Sequence, residues 1–290
     1  TIVALDQVSW SNGGSGGGGF TSRTICTHWS ARPKRASTLS SHPPAFPLDP
    51  RDFSPRFDEA ARSAGFRSTT LGEISGHRMA AYTKRSPGRR PRIYLSAGMH
   101  GDEPAPPWAL LRLLQENFFD ARCTWFVCPL LNPTGFVRQT RENAAGLDLN
   151  RDYKAPQTAE IQAHVSWLQL QPNFDLAVCL HEDWEATGFY LYELNPCHRP
   201  TLANVMIDAA RAHVGIESGA VIDGRDSFEP GIIRPVSDPL LRETWPEAIY
   251  LRHHHCSLDY TTETPSRLPL EQRVVVHCAA IRAAVDSFRR

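Results

Sequence analysis

The stretch Arg92-Ile-Tyr-Leu-Ser-Ala-Gly-Met-His100-Gly-Asp-Glu103-Pro-Ala-Pro-Pro-Trp-Ala-Leu-Leu-Arg-Leu-Leu114 decides the fold. Arg92 to Ala97 is a β-branched and aromatic run, which predicts a central strand. Beyond Glu103 come Pro104, Pro106 and Pro107, then Trp108, Leu110, Leu111, Leu113 and Leu114 at helical spacing. Proline is tolerated in the first helical turn, where its missing N–H would have no intrahelical partner. The stretch therefore reads as strand, tight loop and helix, with His100 and Glu103 in the loop.

The same alternation runs outward in both directions. Upstream, Phe57–Ala64 reads as a short helix, and Ser68–Ile74 and Arg78–Thr83 as edge strands. Downstream, Thr124–Leu130 is a strand and Asn132-Pro-Thr-Gly135 a turn. Gln157–Leu170 is a helix, Leu176–Leu180 a strand, Gly188–Glu193 a strand and Thr201–His213 a helix. Leu258–Thr262 is a strand, and Leu270–Phe288 a long closing helix. Strands alternating with helices imply an α/β fold, with a parallel or mixed sheet covered on both faces. There is no internal repeat, so residues 48–290 are expected to form one domain. Residues 1–47 hold Ser11-Asn-Gly-Gly-Ser-Gly-Gly-Gly-Gly19 and a basic, serine- and proline-rich tract. Such a segment has too little apolar material to offset its ordering entropy. It reads as a flexible leader or an appended extension, in which Ile2–Leu5 would make a short strand.

The 290 residues carry 31 Lys plus Arg against 31 Asp plus Glu, so the formal net charge is zero. That balance argues against nucleic acid or an anionic membrane as partner. No apolar run is long enough to span a bilayer, and the start of the chain lacks the basic-then-apolar pattern of a secretory signal. Seven cysteines are scattered without a CxxC pair, and Cys123, Cys128 and Cys179 lie in strand-like apolar runs. Buried, reduced thiols and a cytoplasmic protein are expected.

Three apolar strands end in residues with chemistry. His100 follows Arg92–Ala97, His181 follows Leu176–Leu180, and Glu263 follows Leu258–Thr262. In open α/β sheets, ligands bind in the crevice beyond the carboxyl ends of the strands. His100-Gly-Asp-Glu103 can bring an imidazole and a carboxylate to one small cation, and His181 would supply a third ligand. Two histidines and a glutamate with a fourth position left open is the pattern of catalytic zinc. Read alone, the HxxE element equally fits a capping glutamate beside an ordinary histidine. The strand-end placement of His181 and Glu263 favours the metal.

Six elements occur in the order found in carboxypeptidase A-like zinc metallocarboxypeptidases. They are His100-Gly-Asp-Glu103, Asn132-Pro-Thr-Gly135, Thr140-Arg141, Gly146-Leu-Asp-Leu-Asn-Arg151, His181 and Thr262-Glu-Thr-Pro265. From about Arg92 to the C-terminus the chain resembles that family, and its compactness resembles the short bacterial members. The resemblance implies a three-layer α/β/α sandwich with a mixed, roughly eight-stranded sheet. It implies one zinc ion on His100, Glu103 and His181, with Glu263 activating the attacking water. Arg141 matches the arginine that stabilises the oxyanion. Asn150 and Arg151 match the pair that holds the substrate's terminal carboxylate, and Asp148 matches the carboxylate supporting the first histidine.

Each assignment has a physical rationale. A general base beside the attacking water accelerates hydrolysis by about 10² to 10⁴. Arg141 offers permanent charge where negative charge develops, and Arg151 can grip a carboxylate in two-pronged fashion. A carboxylate on the far imidazole nitrogen fixes the ligand tautomer.

Other positions are more open. The family's mobile tyrosine, which closes over substrate, falls within Trp245–His255, where Tyr250 is the candidate and a core tyrosine the alternative. His253-His-His255 invites a second metal site. Read as a strand, it could put only His253 and His255 on one face, so surface or packing histidines are expected, with a pocket-lining role for one of them as the alternative. Glu182-Asp-Trp-Glu185 reads as an acidic loop, either solvated or set to repel a second carboxylate or attract a cationic substrate group, and Tyr190 or Tyr192 as a pocket wall, together with parts of 220–250. The expected substrate is a small peptide carrying a free carboxylate. The succinylglutamate desuccinylase and aspartoacylase branch shares the HGxE opening, which makes N-acyl amino acids the alternative. A catalytically silent binding scaffold is the third reading.

Overall fold

The computed structural model describes residues 48–288, apart from 228, 236, 237, 239 and 240. The expected leader, with its Ile2–Leu5 strand, lies outside the described residues. The first helix, α1 (Pro50–Ser63), is longer than the sequence pattern indicates. Asp49 caps it by accepting the Arg51 N–H at 2.8 Å, and Pro50 occupies the first helical position. The extra turns were illegible because Pro50 and Pro55 read as breakers, although proline at the first position is compatible with a helix.

A hairpin follows, β1 (Arg67–Ile74) with β2 (His77–Lys84). Then come β3 (Arg92–Ser96), α2 (Ala105–Gln115) and β4 (Thr124–Cys128), as the central stretch predicts. Asn132-Pro-Thr-Gly135 is not an isolated turn but the start of α3 (Pro133–Arg138). The Asn132 side chain accepts the Gly135 N–H at 2.9 Å and Pro133 takes the first helical position, so capping chemistry overrides the turn propensity of these residues. A 3₁₀ turn (Leu149–Arg151) leads to α4 (Ala159–Leu168), β5 (Leu176–Asp183), β6 (Tyr190–Leu194) and α5 (Ala203–Arg211). A small hairpin, β7 (Val221–Ile222) and β8 (Arg225–Asp226), precedes β9 (Ile232–Ile233). The chain closes with α6 (Glu247–His254), β10 (Asp259–Pro265) and α7 (Leu270–Phe288).

One mixed sheet of eight strands runs in the order β1-β2-β4-β3-β5-β10-β6-β9. β3 pairs in parallel with β4 and β5, and β5 with β10, whereas β2 and β6 join antiparallel. Helices cover both faces, giving the three-layer sandwich. Ile93, Leu95, Leu176, Val178, Leu180 and Tyr260 pack under α1, α2, α5 and α7. Their strand neighbours Tyr94, Ala177 and Cys179 face α4 and α6 on the other side. β5 is buried along its whole length, which is why it reads as a continuous apolar run rather than an alternating one.

Two expectations need correction. His253-His-His255 does not lie in a strand: His253 and His254 end α6, and His255 follows it. Glu247 to Arg252 lacks the β-branched density a strand requires, and Pro246 ahead of it suits a helix start. Glu182 and Asp183 are not in a loop either. Both are buried in β5, where Glu182 pairs with Arg273 of α7 and accepts the Ala105 N–H at 2.6 Å. Asp183 accepts the Tyr190 hydroxyl at 2.8 Å. Only Trp184 and Glu185 are exposed.

Candidate functional site

Parallel register and side-chain alternation build the site. His181 and Glu263 lie within the last residues of β5 and β10, not beyond the strand ends as the sequence suggests. They are direct register partners, as are Cys179 and Thr261. Successive strand residues point to opposite faces, and directly opposed side chains stand together on the same face. Leu180 and Thr262 turn toward α7, so His181 and Glu263 necessarily turn together toward the other side. Tyr190 and Tyr192 of β6 pair with Glu263 and Thr261, which extends the same face outward. Tyr192 lines the resulting cleft.

His100 and Glu103 reach this face from the loop after β3. Gly98 there has φ +68°, and Gly101 packs against the Gly135 backbone so closely that a Cβ would lie 1.9 Å from its carbonyl carbon. This contact brings the loop onto the start of α3, with the Gly101 N–H donating to the Thr140 carbonyl at 2.9 Å.

His100, Glu103 and His181 are buried, and their potential ligand atoms all lie within 4.8 Å of one another. The Glu103 carboxylate stands 2.6 Å from His100 Nδ1 and 2.9 Å from His181 Nδ1, and the two Nδ1 atoms are 3.3 Å apart. Burial opposes the charge on Glu103, but His100 and His181 hold its carboxyl well below the usual range. Asp148 approaches the other nitrogen of His100, with Oδ1 3.4 Å from Nε2. It also takes Arg141 Nε at 3.0 Å, while Arg141 Nη1 lies 3.6 Å from Glu103. Burial opposes the Asp148 charge too, yet His100, Arg141 and Arg151 keep it ionised far into acid.

Asn150 and Arg151 line the same cleft as this cluster. The 3₁₀ turn that carries them is capped by Asp148, which accepts the Asn150 N–H at 2.9 Å. The Asn150 side-chain oxygen accepts the Glu247 N–H at 2.9 Å, so its amide nitrogen is the end left to donate to a ligand. One cleft is lined by His100, Glu103, His181, Arg141, Asn150, Arg151 and Glu263 together.

Tyr250 is not among the residues lining this cleft. It is buried in α6, with its ring 5.7 Å from Tyr153 and 4.6 Å from His254. The assignment of Tyr250 to substrate binding is therefore withdrawn in favour of a core role. None of His253 to His255 lines the cleft either. His255 packs 5.8 Å from Phe174 and His253 5.2 Å from Trp245.

The sequence reading missed Asp223, Arg225 and Arg242 as individual cleft residues. Asp223-Gly224 is the tip of the β7–β8 hairpin, with φ +47° and +70°. An Asp-Gly pair is a strong short-range hairpin signal, so the placement of Asp223 and Arg225 was legible in principle. Arg242 carried no such local signal.

Glu247 was also missed. Its buried carboxyl accepts the Tyr94 hydroxyl at 2.6 Å and the Ser96 hydroxyl at 2.8 Å. Burial, only partly opposed by these hydrogen bonds, pushes its pKa up to about 7. A carboxyl with a raised folded-state pKa contributes stability that is fully present below its ordinary value and lost as pH rises through about 7. Glu247→Gln stays neutral, so its stability relative to wild type should rise between pH 5 and pH 8 by on the order of 3 kcal/mol. Glu182, also pushed up to about 7 by burial, is present in both proteins and cancels. Urea unfolding of the pair at the two pH values measures the difference, and no change between them would contradict the shift.

Residues 89–224 match the family described as the succinylglutamate desuccinylase/aspartoacylase catalytic domain. No curated protein matches the chain. Among solved structures, a "putative metallopeptidase" from Shewanella amazonensis is 26% identical with a TM-score of 0.73, over 83% of this chain and 93% of that one. A metallo-carboxypeptidase from Burkholderia cenocepacia, 19% identical, shares the fold at a TM-score of 0.59 over 80% of this chain and 68% of its own. So does a metallo-carboxypeptidase from Pseudomonas aeruginosa in complex with (2-guanidinoethylmercapto)succinic acid, 17% identical with a TM-score of 0.61 over 83% and 70%. Taken with the mixed eight-stranded sheet and the buried His-Glu-His cluster, these matches make the chain similar to carboxypeptidase-like hydrolases related to succinylglutamate desuccinylase.

Proposed function

We propose that this protein is a zinc-dependent hydrolase that cleaves a peptide or related amide bond next to a free carboxylate. The observation that carries the reading is the buried cluster of His100 Nδ1, Glu103 and His181 Nδ1, opening on a cleft that also holds Glu263 and Arg141. The donor set fits one zinc ion. Tetrahedral bonds of about 2.0 to 2.2 Å place donor atoms roughly 3.3 to 3.6 Å apart. The two imidazole nitrogens already stand 3.3 Å apart, and the carboxylate would need to withdraw by only several tenths of an ångström. Asp148 near the far nitrogen of His100 suits the tautomer that presents Nδ1 to a metal.

Zinc bound there would supply a Lewis acid that acidifies water and polarises the scissile carbonyl. The remaining work falls to the chain's own groups. Glu263, beside His181, accepts a proton from the attacking water and returns it to the leaving amine. Arg141, held through Nε by Asp148, directs its remaining donors at the negative charge that develops on the carbonyl oxygen. Asn150 and Arg151 bind the substrate's free carboxylate and so set which bond is cut.

Among the described residues, no helix is long and apolar enough to cross a membrane. Cys128, Cys179, Cys256 and Cys278 are buried thiols, which supports a cytoplasmic location.

The match of residues 89–224 to the desuccinylase/aspartoacylase domain favours a second reading, in which the substrate is an N-acyl amino acid. The two share the cluster, the base and the carboxylate clamp, and differ in the group on the acyl side. A panel of N-blocked dipeptides, γ-glutamyl and diaminopimelate peptides and N-acyl amino acids, assayed on zinc-loaded protein, separates them. Turnover of peptides without turnover of acyl amino acids is the expected result. Binding of zinc without turnover of any of them would leave a binding scaffold.

The clamp has its own test. Arg151→Ala should raise KM for substrates ending in a carboxylate by about 10- to 100-fold, the equivalent of one or two charge-assisted hydrogen bonds. The corresponding C-terminal amides should be much less affected. Equal effects on acid and amide would remove Arg151 from that role.

A further inference from the structure

The ligand cluster is assembled from two separate stretches of chain, the loop that holds His100 and Glu103 and the strand that holds His181. Groups outside the ligands have to fix these stretches relative to one another if the donor atoms are to keep a metal's geometry. The residues that follow the ligands do this. Glu103 is followed by Pro104 and by Ala105, the first residue of α2, and His181 is followed by Glu182.

An α-helix leaves its first four N–H groups without an intrahelical partner. In α2 those positions are Pro104, Ala105, Pro106 and Pro107, and proline has no N–H. Ala105 therefore carries the one free N–H at this helix end, and it donates to Glu182 Oε1 at 2.6 Å. A carboxylate placed there also meets the positive end of the helix dipole. The second oxygen, Oε2, accepts Nη1 of Arg273 on α7. Glu182 and Arg273 are only 2% and 4% exposed, so water does not screen their interaction.

Glu182 turns toward the α7 side of the sheet, away from the cleft, as does its register partner Thr264. His277 lies one helical turn beyond Arg273 and ties α7 to β10. Its Nδ1 is 3.3 Å from Thr262 Oγ1 and its Nε2 3.1 Å from Thr264 Oγ1. Arg273 is thus anchored on a helix that is itself fixed to the sheet behind the cluster.

We infer that Glu182 and Arg273 are a positioning pair for the metal centre, a tie at the rear of the sheet that holds the His100–Glu103 loop in place against His181. Glu182 belongs to one ligand-bearing stretch and binds the other, so a single side chain spans both, and Arg273 keeps it aimed. Neither residue is one of the three grouped ligands. The inference rests on the metal reading proposed above.

Glu182→Gln keeps the size of the side chain but offers one acceptor oxygen where two donors point. Its zinc affinity, measured by competition with a chromophoric chelator, should fall by about 10- to 100-fold, as for loss of other groups that support metal ligands. Urea midpoints on the same samples record any change in stability. Glu193→Gln is the control. Glu193 is a buried carboxylate on β6, which carries no ligand, and it accepts Arg234 Nε at 2.5 Å and the Tyr260 hydroxyl at 2.8 Å. This variant should lose stability and keep the wild-type zinc affinity. Arg273→Met should weaken zinc by about tenfold, and Arg273→Lys, which retains a cationic donor, should recover most of that loss. Amide hydrogen exchange on the metal-free wild type needs no substitution: the Ala105 N–H should exchange far more slowly than a free helix-end amide. Wild-type zinc affinity in Glu182→Gln overturns the inference. So does an equal loss in Glu193→Gln, an Arg273→Lys protein no better than Arg273→Met, or an unprotected Ala105 amide. Those results leave the metal reading intact, whereas a wild-type protein that takes up no zinc removes that reading and the role of the tie with it.

Discussion

Replacing Glu263 with glutamine should lower kcat by about 10² to 10⁴, the range general-base catalysis commonly contributes. Zinc content should remain that of the wild type. The expectation follows from register. Glu263 is the direct parallel partner of His181 and shares its face of the sheet, which places the carboxylate beside the cluster without making it one of the three grouped ligands. Glutamine preserves the shape and loses the capacity to accept a proton. Steady-state kinetics with metal analysis on the same preparation separates a missing base from a missing metal. A variant that holds zinc and retains the wild-type rate would falsify the assigned mechanism.

Gly101→Ala should be the most damaging small substitution near the site. The added Cβ would lie 1.9, 2.2 and 2.3 Å from the Gly135 carbon, the Gly135 oxygen and the Phe136 nitrogen, all backbone atoms. No rotamer relieves such a clash, so the loop must leave α3, carrying His100 and Glu103 with it. Overpacking of this kind costs about 3 kcal/mol or more. A displacement near 1 Å at a reacting group can cost about 10²-fold in rate. We expect a lower urea midpoint together with loss of bound zinc. Gly72→Ala is the matched control: its Cβ would meet only Ala163 Cβ at 3.8 Å, an ordinary contact, and stability and zinc binding should change little. Wild-type zinc content in Gly101→Ala would show that the loop can shift without moving its ligands.

How far the site could be read in advance depended on how local its determinants are. The strand at Arg92–Ser96, the helix from Ala105 and the closing helix Leu270–Phe288 follow from residues within each segment. Their apolar periods and proline positions are local facts. His181 and Glu263 were identifiable because they terminate apolar runs, but their place inside β5 and β10 was not. The sheet continues to Asp183 and Pro265 because the two strands hydrogen-bond each other there, and propensity has no access to that pairing. Glu182 illustrates the same limit. Next to a metal-ligand candidate it read as a loop acid, whereas its side chain turns to the opposite face and meets Arg273, 91 residues away in sequence.

Tyr250 failed for a related reason. A tyrosine upstream of the base glutamate satisfies a motif, but α6 turns it into the core against Tyr153. The histidine run was misassigned because consecutive identical residues carry no periodicity from which to choose between strand and helix.

The sequence by itself determined the α/β class and the order of the principal strands and helices, which depend on local pattern written along the chain. It singled out His100, Glu103, His181 and Glu263 as candidates by their place at strand ends, and Arg141, Asn150 and Arg151 through the family resemblance. Only the tertiary structure decided that three Nδ1 and carboxylate groups meet within 4.8 Å, and that Tyr250 does not join them. It alone brought Arg225 and Arg242 into the same cleft as Arg151. Segments distant in sequence carry no mark of their proximity until strand pairing and burial put them side by side. The lining of this cleft is a property of the folded chain.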